Sequence, residues 1–178
     1  MRLFNHYSAY PFNKNDFVPI ENIGWITPSG GYWGTLANSD YSWEKYLHWI
    51  TYSQSVFPLE AKSKDGYILT CPTNYQYKTT FKLKDESKLY YVNNLDNLHF
   101  ISNKYPGNIL DYNIINYEAI CKSGEYDAIY FDHDMSNAGN KQSMLAWLYN
   151  RGCDMVLVLN PDSIQIVSEE KLNNIMND

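Results

Sequence analysis

Apolar and polar residues follow two periods along this chain. Period two, which sends alternate side chains to opposite faces of a strand, runs through residues 75–83 (Tyr-Gln-Tyr-Lys-Thr-Thr-Phe-Lys-Leu). Residues 67–71 and 88–93 read as two further strands of this half-buried kind, and residues 2–8 as a short opening strand. Residues 126–131 and 153–159 are nearly continuous apolar runs, the pattern of strands covered on both faces. Residues 23–27 are a short apolar run, and 32–36 follow as an extended piece. Residues 163–167 read as the last strand.

Helical spacing appears between these runs. Trp43, Tyr46, Trp49 and Ile50 share one face of a helix over 43–52, with Ser42 or Asp40 as its N-cap and Pro58 closing the segment. Leu95, Leu98 and Ile101 or Phe100 predict a helix over 95–105, stopped by Pro106-Gly107. Residues 112–122 read as another helix, ended by Ser123-Gly124. Residues 132–140 read as a polar loop, and 142–149 as a helical turn carrying Trp147. Asn160-Pro161-Asp162 is a tight turn, and 169–176 a polar C-terminal helix or frayed tail. Pro11 and Pro19 keep the segment between them out of a helix. The pattern predicts an α+β fold of mixed, largely antiparallel strands with helices to one side. Neither GxGxxG nor GxxxxGK[ST] occurs, which argues against a Rossmann or P-loop fold.

At 178 residues the chain reads as a single domain over 1–178, large enough to bury a core. Hydrophobic residues make up 44% and charged ones 19%, which predicts a globule rather than a disordered chain. The net charge of -6 argues against a general electrostatic grip on nucleic acid. Seventeen tyrosines and five tryptophans offer rings with polar tips, useful in binding surfaces and equally usable as core. Cys71, Cys121 and Cys153 are too scattered for a zinc site or a disulfide framework. Neither a signal-peptide pattern nor an apolar run of bilayer length is visible, so a cytoplasmic location and no membrane partner are expected.

Candidate chemistry lies in three places. Residues 29–43 set Gly30 and Gly31 before Tyr32 and Trp33, a pattern that suits a strand lining a slot for a planar ligand or a glycine turn entering a core strand. Asp154 opens an otherwise apolar strand, so its carboxylate sits at a sheet rim, facing a cleft or pairing with Arg151. His6 closes the first strand, as a ligand-facing or a merely hydrogen-bonded imidazole. His133 lies in Asp132-His133-Asp134, but no further ligand cluster accompanies it in sequence, so no metal is expected. His48 and His99 fall within helical segments and carry no specific signal.

The order of these pieces resembles the ADP-ribosyltransferase superfamily, in its His–Tyr–acidic clade, and especially its small bacterial and phage members. His6-Tyr7-Ser8 resembles the first motif of that family. Gly31-Tyr32-Trp33-Gly34-Thr35 resembles its glycine-aromatic strand, and Tyr41-Ser42-Trp43 the serine-aromatic segment after it. Residues 152–164 resemble the final motif, an acidic residue leading a strand, a turn and a second strand. The chain departs from the pattern at Tyr7, where the polymerases of the clade carry glycine, and at Asp154, where glutamate is usual.

The resemblance implies two packed mixed or antiparallel sheets around an NAD cleft, with flanking helices. It implies cleavage of the nicotinamide–ribose bond of NAD, the substrate, and transfer of ADP-ribose to a macromolecule; the acidic net charge tilts the expected acceptor towards a protein rather than a nucleic acid. Asp154, His6 and Tyr32 would be catalytic. His6, Tyr7, Ser8, Gly31, Tyr32, Trp33, Thr35, Ser42 and Trp43 would bind the dinucleotide, with His6 donating to a ribose hydroxyl and the Tyr7 backbone holding the carboxamide. NAD hydrolysis, and a non-catalytic interaction protein of the same fold, are the alternatives.

Overall fold

The computed structural model describes residues 2–8, 10–22, 28, 30–42, 76–109, 112–138 and 153–172. The apolar run at 23–27, the helix expected over 43–52, the strand over 67–71 and the helical turn over 142–149 lie outside them.

Nine strands are described: β1 (Phe4–Ser8), β2 (Tyr32–Leu36), β3 (Tyr77–Leu83), β4 (Leu89–Val92), β5 (Pro106–Ile109), β6 (Tyr112–Ile115), β7 (Ala128–Phe131), β8 (Met155–Val158) and β9 (Ile164–Lys171). Seven form one sheet in the order β4-β7-β8-β2-β1-β3-β9, and β5 with β6 forms a separate two-strand ladder. Only β4 and β7 run parallel; the other neighbours in the large sheet are antiparallel. The continuous apolar runs of β7 and β8 are buried at every position, because both faces of the sheet are covered there.

Among the described residues three short helices accompany the sheet: α1 (Leu95–Lys104), α2 (Tyr117–Ser123) and α3 (His133–Ala138). Asn94 caps α1 by accepting from the Asn97 N–H, and Asn116 caps α2 by accepting from the Ala119 N–H. Gly124, in the left-handed conformation, ends α2. Leu98 and Ile101 of α1 and Tyr117 and Ile120 of α2 pack with Ile129, Phe131, Met155 and Leu157 on one face of the sheet. The opposite face carries a smaller cluster: Phe4, Phe81, Tyr130, Val156 and Val158, with Tyr32 and Leu36 against it. None of the described helices is long and apolar enough to cross a membrane.

Among the described residues the strands form one seven-strand mixed sheet and the two-strand β5–β6 ladder. The helix expected over 112–122 is divided. Tyr112–Ile115 pairs with Pro106–Ile109, the β-branched Ile114 and Ile115 suiting a strand, and the Asn116 cap delays the helix to Tyr117. The polar loop expected at 132–140 contains α3, whose first N–H groups are taken by acids: Asp154 accepts from His133 and Asp132 from Asp134. The expected C-terminal helix instead begins as the end of β9, because β3 offers partners as far as Tyr77–Lys171.

Candidate functional site

The site begins where two strands part. The β1–β2 ladder pairs Phe4 with Leu36 and Asn5 with Thr35 and goes no further. On the other side of β1, pairing with β3 continues to Ser8. Backbone direction can be followed through this gap. The Leu3 carbonyl accepts from Ala37 N, towards β2, and the Ser8 carbonyl accepts from Gln76 N, towards β3. Alternation therefore turns the Tyr7 N–H and C=O towards β2. Likewise Leu36 N donates to Asp154 O on the β8 side, which turns the Trp33 backbone towards β1. Tyr7 and Trp33 would be the next ladder pair, but the ladder has stopped. The imidazole of His6 takes the Trp33 carbonyl instead, at 2.5 Å from Nδ1.

That contact fixes the tautomer of His6. A carbonyl can only accept, so Nδ1 carries the hydrogen. Burial holds the imidazole below its ordinary pKa of 6.5, outweighing the Trp33 contact that raises it. The ring is therefore neutral at neutral pH, and Nε2 presents a lone pair. A group meeting Nε2 there would have to donate to it.

Around this gap lies a pocket of about 440 Å³, lined by His6, Ser8, Gly31, Tyr32 and Trp33 together with the 10–18 segment and Gly30. Tyr32 stands against the His6 ring at 4.0 Å between centroids, with Phe12 and Phe81 edge-on to it at 5.1 and 5.3 Å. Burial, together with the Glu169 charge, pushes the Tyr32 hydroxyl far above its ordinary pKa. Glu169 also accepts from the Phe12 N–H at 2.6 Å and from Thr79 Oγ1 at 3.1 Å, tying the 10–18 segment to β9. The Gly31 N–H donates to Val18 O and ties the other end. Both glycines have positive φ, +77° and +69°. A Cβ on Gly30 would lie 2.1 Å from the Pro19 oxygen, and one on Gly31 would lie 2.6 Å from Leu157 Cδ1. These glycines admit the chain's own neighbours rather than a ligand.

Asp154 occupies a different cluster on the same face of the sheet. Its side chain is on the Val156 side of β8, as His6 is on the Phe4 side of β1. Two strands and two residues separate them, about 12 Å between Cα atoms by ordinary sheet spacings. Phe4, Leu36 and the Phe81 ring lie between, with Phe81 pressed over Gly34. Asp154 is buried. Its Oδ1 accepts from His133 N at 3.0 Å, and its Oδ2 accepts from the Ser39 hydroxyl. Burial and the Asp154 charge raise the pKa of the neighbouring Tyr130 hydroxyl. Arg2 lies over Tyr130 and Tyr91, at 4.9 and 4.8 Å from their centroids.

The structure thus gathers His6, Ser8, Gly31, Tyr32 and Trp33 at one pocket. Tyr32 shares the sheet face of His6 and Asp154, while the Trp33 ring packs towards the helix side. The Tyr7 and Thr35 side chains are buried on that helix side, and neither residue lines the pocket. Ser42 is buried near the Asp154 cluster, its N–H donating to Ser39 O, and does not line the pocket. Trp43 lies outside the described residues. Ser39, and the pocket wall formed by Phe12, Asp16 and Phe17, escaped the sequence reading, because their partners come from segments remote in sequence. Ligand atoms of Asp132, His133 and Asp134 lie within 4.8 Å of one another. Asp132 Oδ1 is already used there to cap α3 at Asp134 N. Comparison of the chain with models of protein families, with curated proteins and with solved structures yields no match.

Proposed function

We propose that this chain is an NAD-consuming mono-ADP-ribosyltransferase with an ADP-ribosyltransferase-like fold. The observation that supports it most is the broken ladder beside His6. There the ladder stops after Asn5–Thr35, and the His6 imidazole, on the pocket wall, takes the Trp33 carbonyl. Tyr32 supplies an aromatic wall, and Nε2 of His6 an acceptor for a ribose hydroxyl.

In the reaction the bond from the nicotinamide nitrogen to C1′ breaks, and its electron pair stays on nitrogen. A lone pair of the acceptor, a protein side chain in this reading, forms the new bond, and the acceptor loses its proton to solvent. Positive charge builds on the ribose, as in glycoside cleavage. A fixed carboxylate lowers the energy of that charge more than that of the ground state. Asp154 has this role, held in place by Ser39 and the His133 N–H. The reading requires the nicotinamide ribose to reach Asp154 across Phe4 and Leu36. The chemistry requires no metal.

A second reading is an NAD-binding interaction protein without turnover. It is favoured by one observation: both oxygens of Asp154 are already engaged within the fold. Labelled NAD incubated with the full chain and a cell lysate separates the readings. Label on macromolecules that protease removes supports transfer to protein; label that nuclease removes moves the acceptor to nucleic acid. Free nicotinamide without labelled macromolecules makes the protein a hydrolase. A melting temperature raised by NAD without turnover supports the second reading, and neither binding nor turnover sinks both.

A further inference from the structure

We infer that the pocket beside His6 selects ligands carrying a delocalised or methylated positive charge, with Asp16 as the selecting residue. The inference rests on the pocket of the NAD reading and adds the charge state that the pocket accepts.

The lining is rich in rings. Tyr10, Phe12, Phe17, Tyr32 and Trp33 all border it. Aromatic faces carry a negative quadrupole and attract cations, most strongly where water is excluded. Among the described lining residues there is no Lys or Arg to oppose a positive ligand. The remaining ionisable groups there are Asp16 and His6. His6 is held as a neutral donor to the Trp33 carbonyl. Asp16 belongs to the short turn Lys14–Asp16 and has no ion-pair partner among the described residues. The adjacent base, Lys14, is turned away onto Asp162. A second carboxylate, Glu169, stands behind Tyr32 and Phe12 and adds negative potential to the same wall. Rings with acidic groups and, among the described residues, no facing base match an organic cation rather than an anion, and about 440 Å³ is room for one ring-sized group.

The probes are 1-methylnicotinamide, a cation, and its 1,4-dihydro form, which has the same heavy atoms and no charge. Titration of the full chain by calorimetry is expected to show the cation binding about tenfold more tightly. Asp16→Asn is expected to remove most of that preference while leaving the neutral affinity unchanged, and Asp16→Glu to keep it. Equal binding of the two probes, tighter binding of the neutral one, or no binding of either overturns the inference. A preference that survives Asp16→Asn overturns the role of Asp16. Nicotinamide release from NAD is measured on the same protein preparations with cell lysate added as the source of acceptor. Cation preference without release leaves this inference standing and removes the transferase reading; release without preference does the reverse.

Discussion

His6 is the residue whose protonation state the fold sets most clearly. Its folded pKa lies below 6.5 through burial, whereas the unfolded chain titrates near 6.5. Between the two values the unfolded state binds the extra proton, so stability rises with pH there and is lost as pH falls below about 6.5. His6→Gln is expected to flatten that part of the urea-midpoint profile, and an unchanged profile would refute the buried neutral imidazole. Asp154 calls for a more careful substitution. Asp154→Ala would remove the acceptor of the His133 N–H and of the Ser39 hydroxyl in a partly buried site, at up to about 1–3 kcal/mol each. Asp154→Asn keeps an acceptor oxygen and removes the charge. It is expected to cost less than Asp154→Ala in chemical denaturation, and an equal cost would deny the hydrogen bonds their role. His6, Tyr32 and Asp154 were legible in the sequence because each breaks a local pattern: an imidazole ending a strand, rings after glycines, a carboxylate opening an apolar run. The grip on Asp154 was not, since Ser39 and His133 lie 115 and 21 residues away from it.

At the scale of elements, the parting of β1 from β2 makes the crevice, and the turn before β2 helps to hold it open. Gly30→Ala puts a methyl group into the Pro19 carbonyl at a φ of +77°, so a loss of about 2–4 kcal/mol is expected. Gly124→Ala meets nothing within 4 Å and bears only the left-handed strain, about 1 kcal/mol. Thermal unfolding of the two variants measures the difference, and equal losses would show that the Gly30–Pro19 contact is not what constrains this turn. Glycine before an aromatic pair was visible in the sequence; that the crowding comes from the chain itself was not. Strands with continuous apolar runs, β7 and β8, were legible because burial on both faces leaves one simple pattern. The β5–β6 ladder and α3 were missed because their termini are set by pairing and capping partners that local periodicity does not encode.

For the whole molecule, α1 and α2 lie on one face of the sheet and the candidate chemistry on the other. The α+β class and the one-sided helices followed from the order of periods along the chain. The order of the seven strands did not, because it depends on long-range pairing such as β9 beside β3. This arrangement puts His6 and Asp154 on a common face of the sheet without a shared pocket. Free nicotinamide released from NAD in the presence of cell lysate, by the wild-type chain and by folded Asp154→Asn, tests the proposed role of Asp154 directly. The account expects release by the wild type, a fall of about 10²-fold or more in the variant, and the same NAD-induced rise in melting temperature for both. Equal release from the two proteins, or no rise with NAD in either, would contradict it.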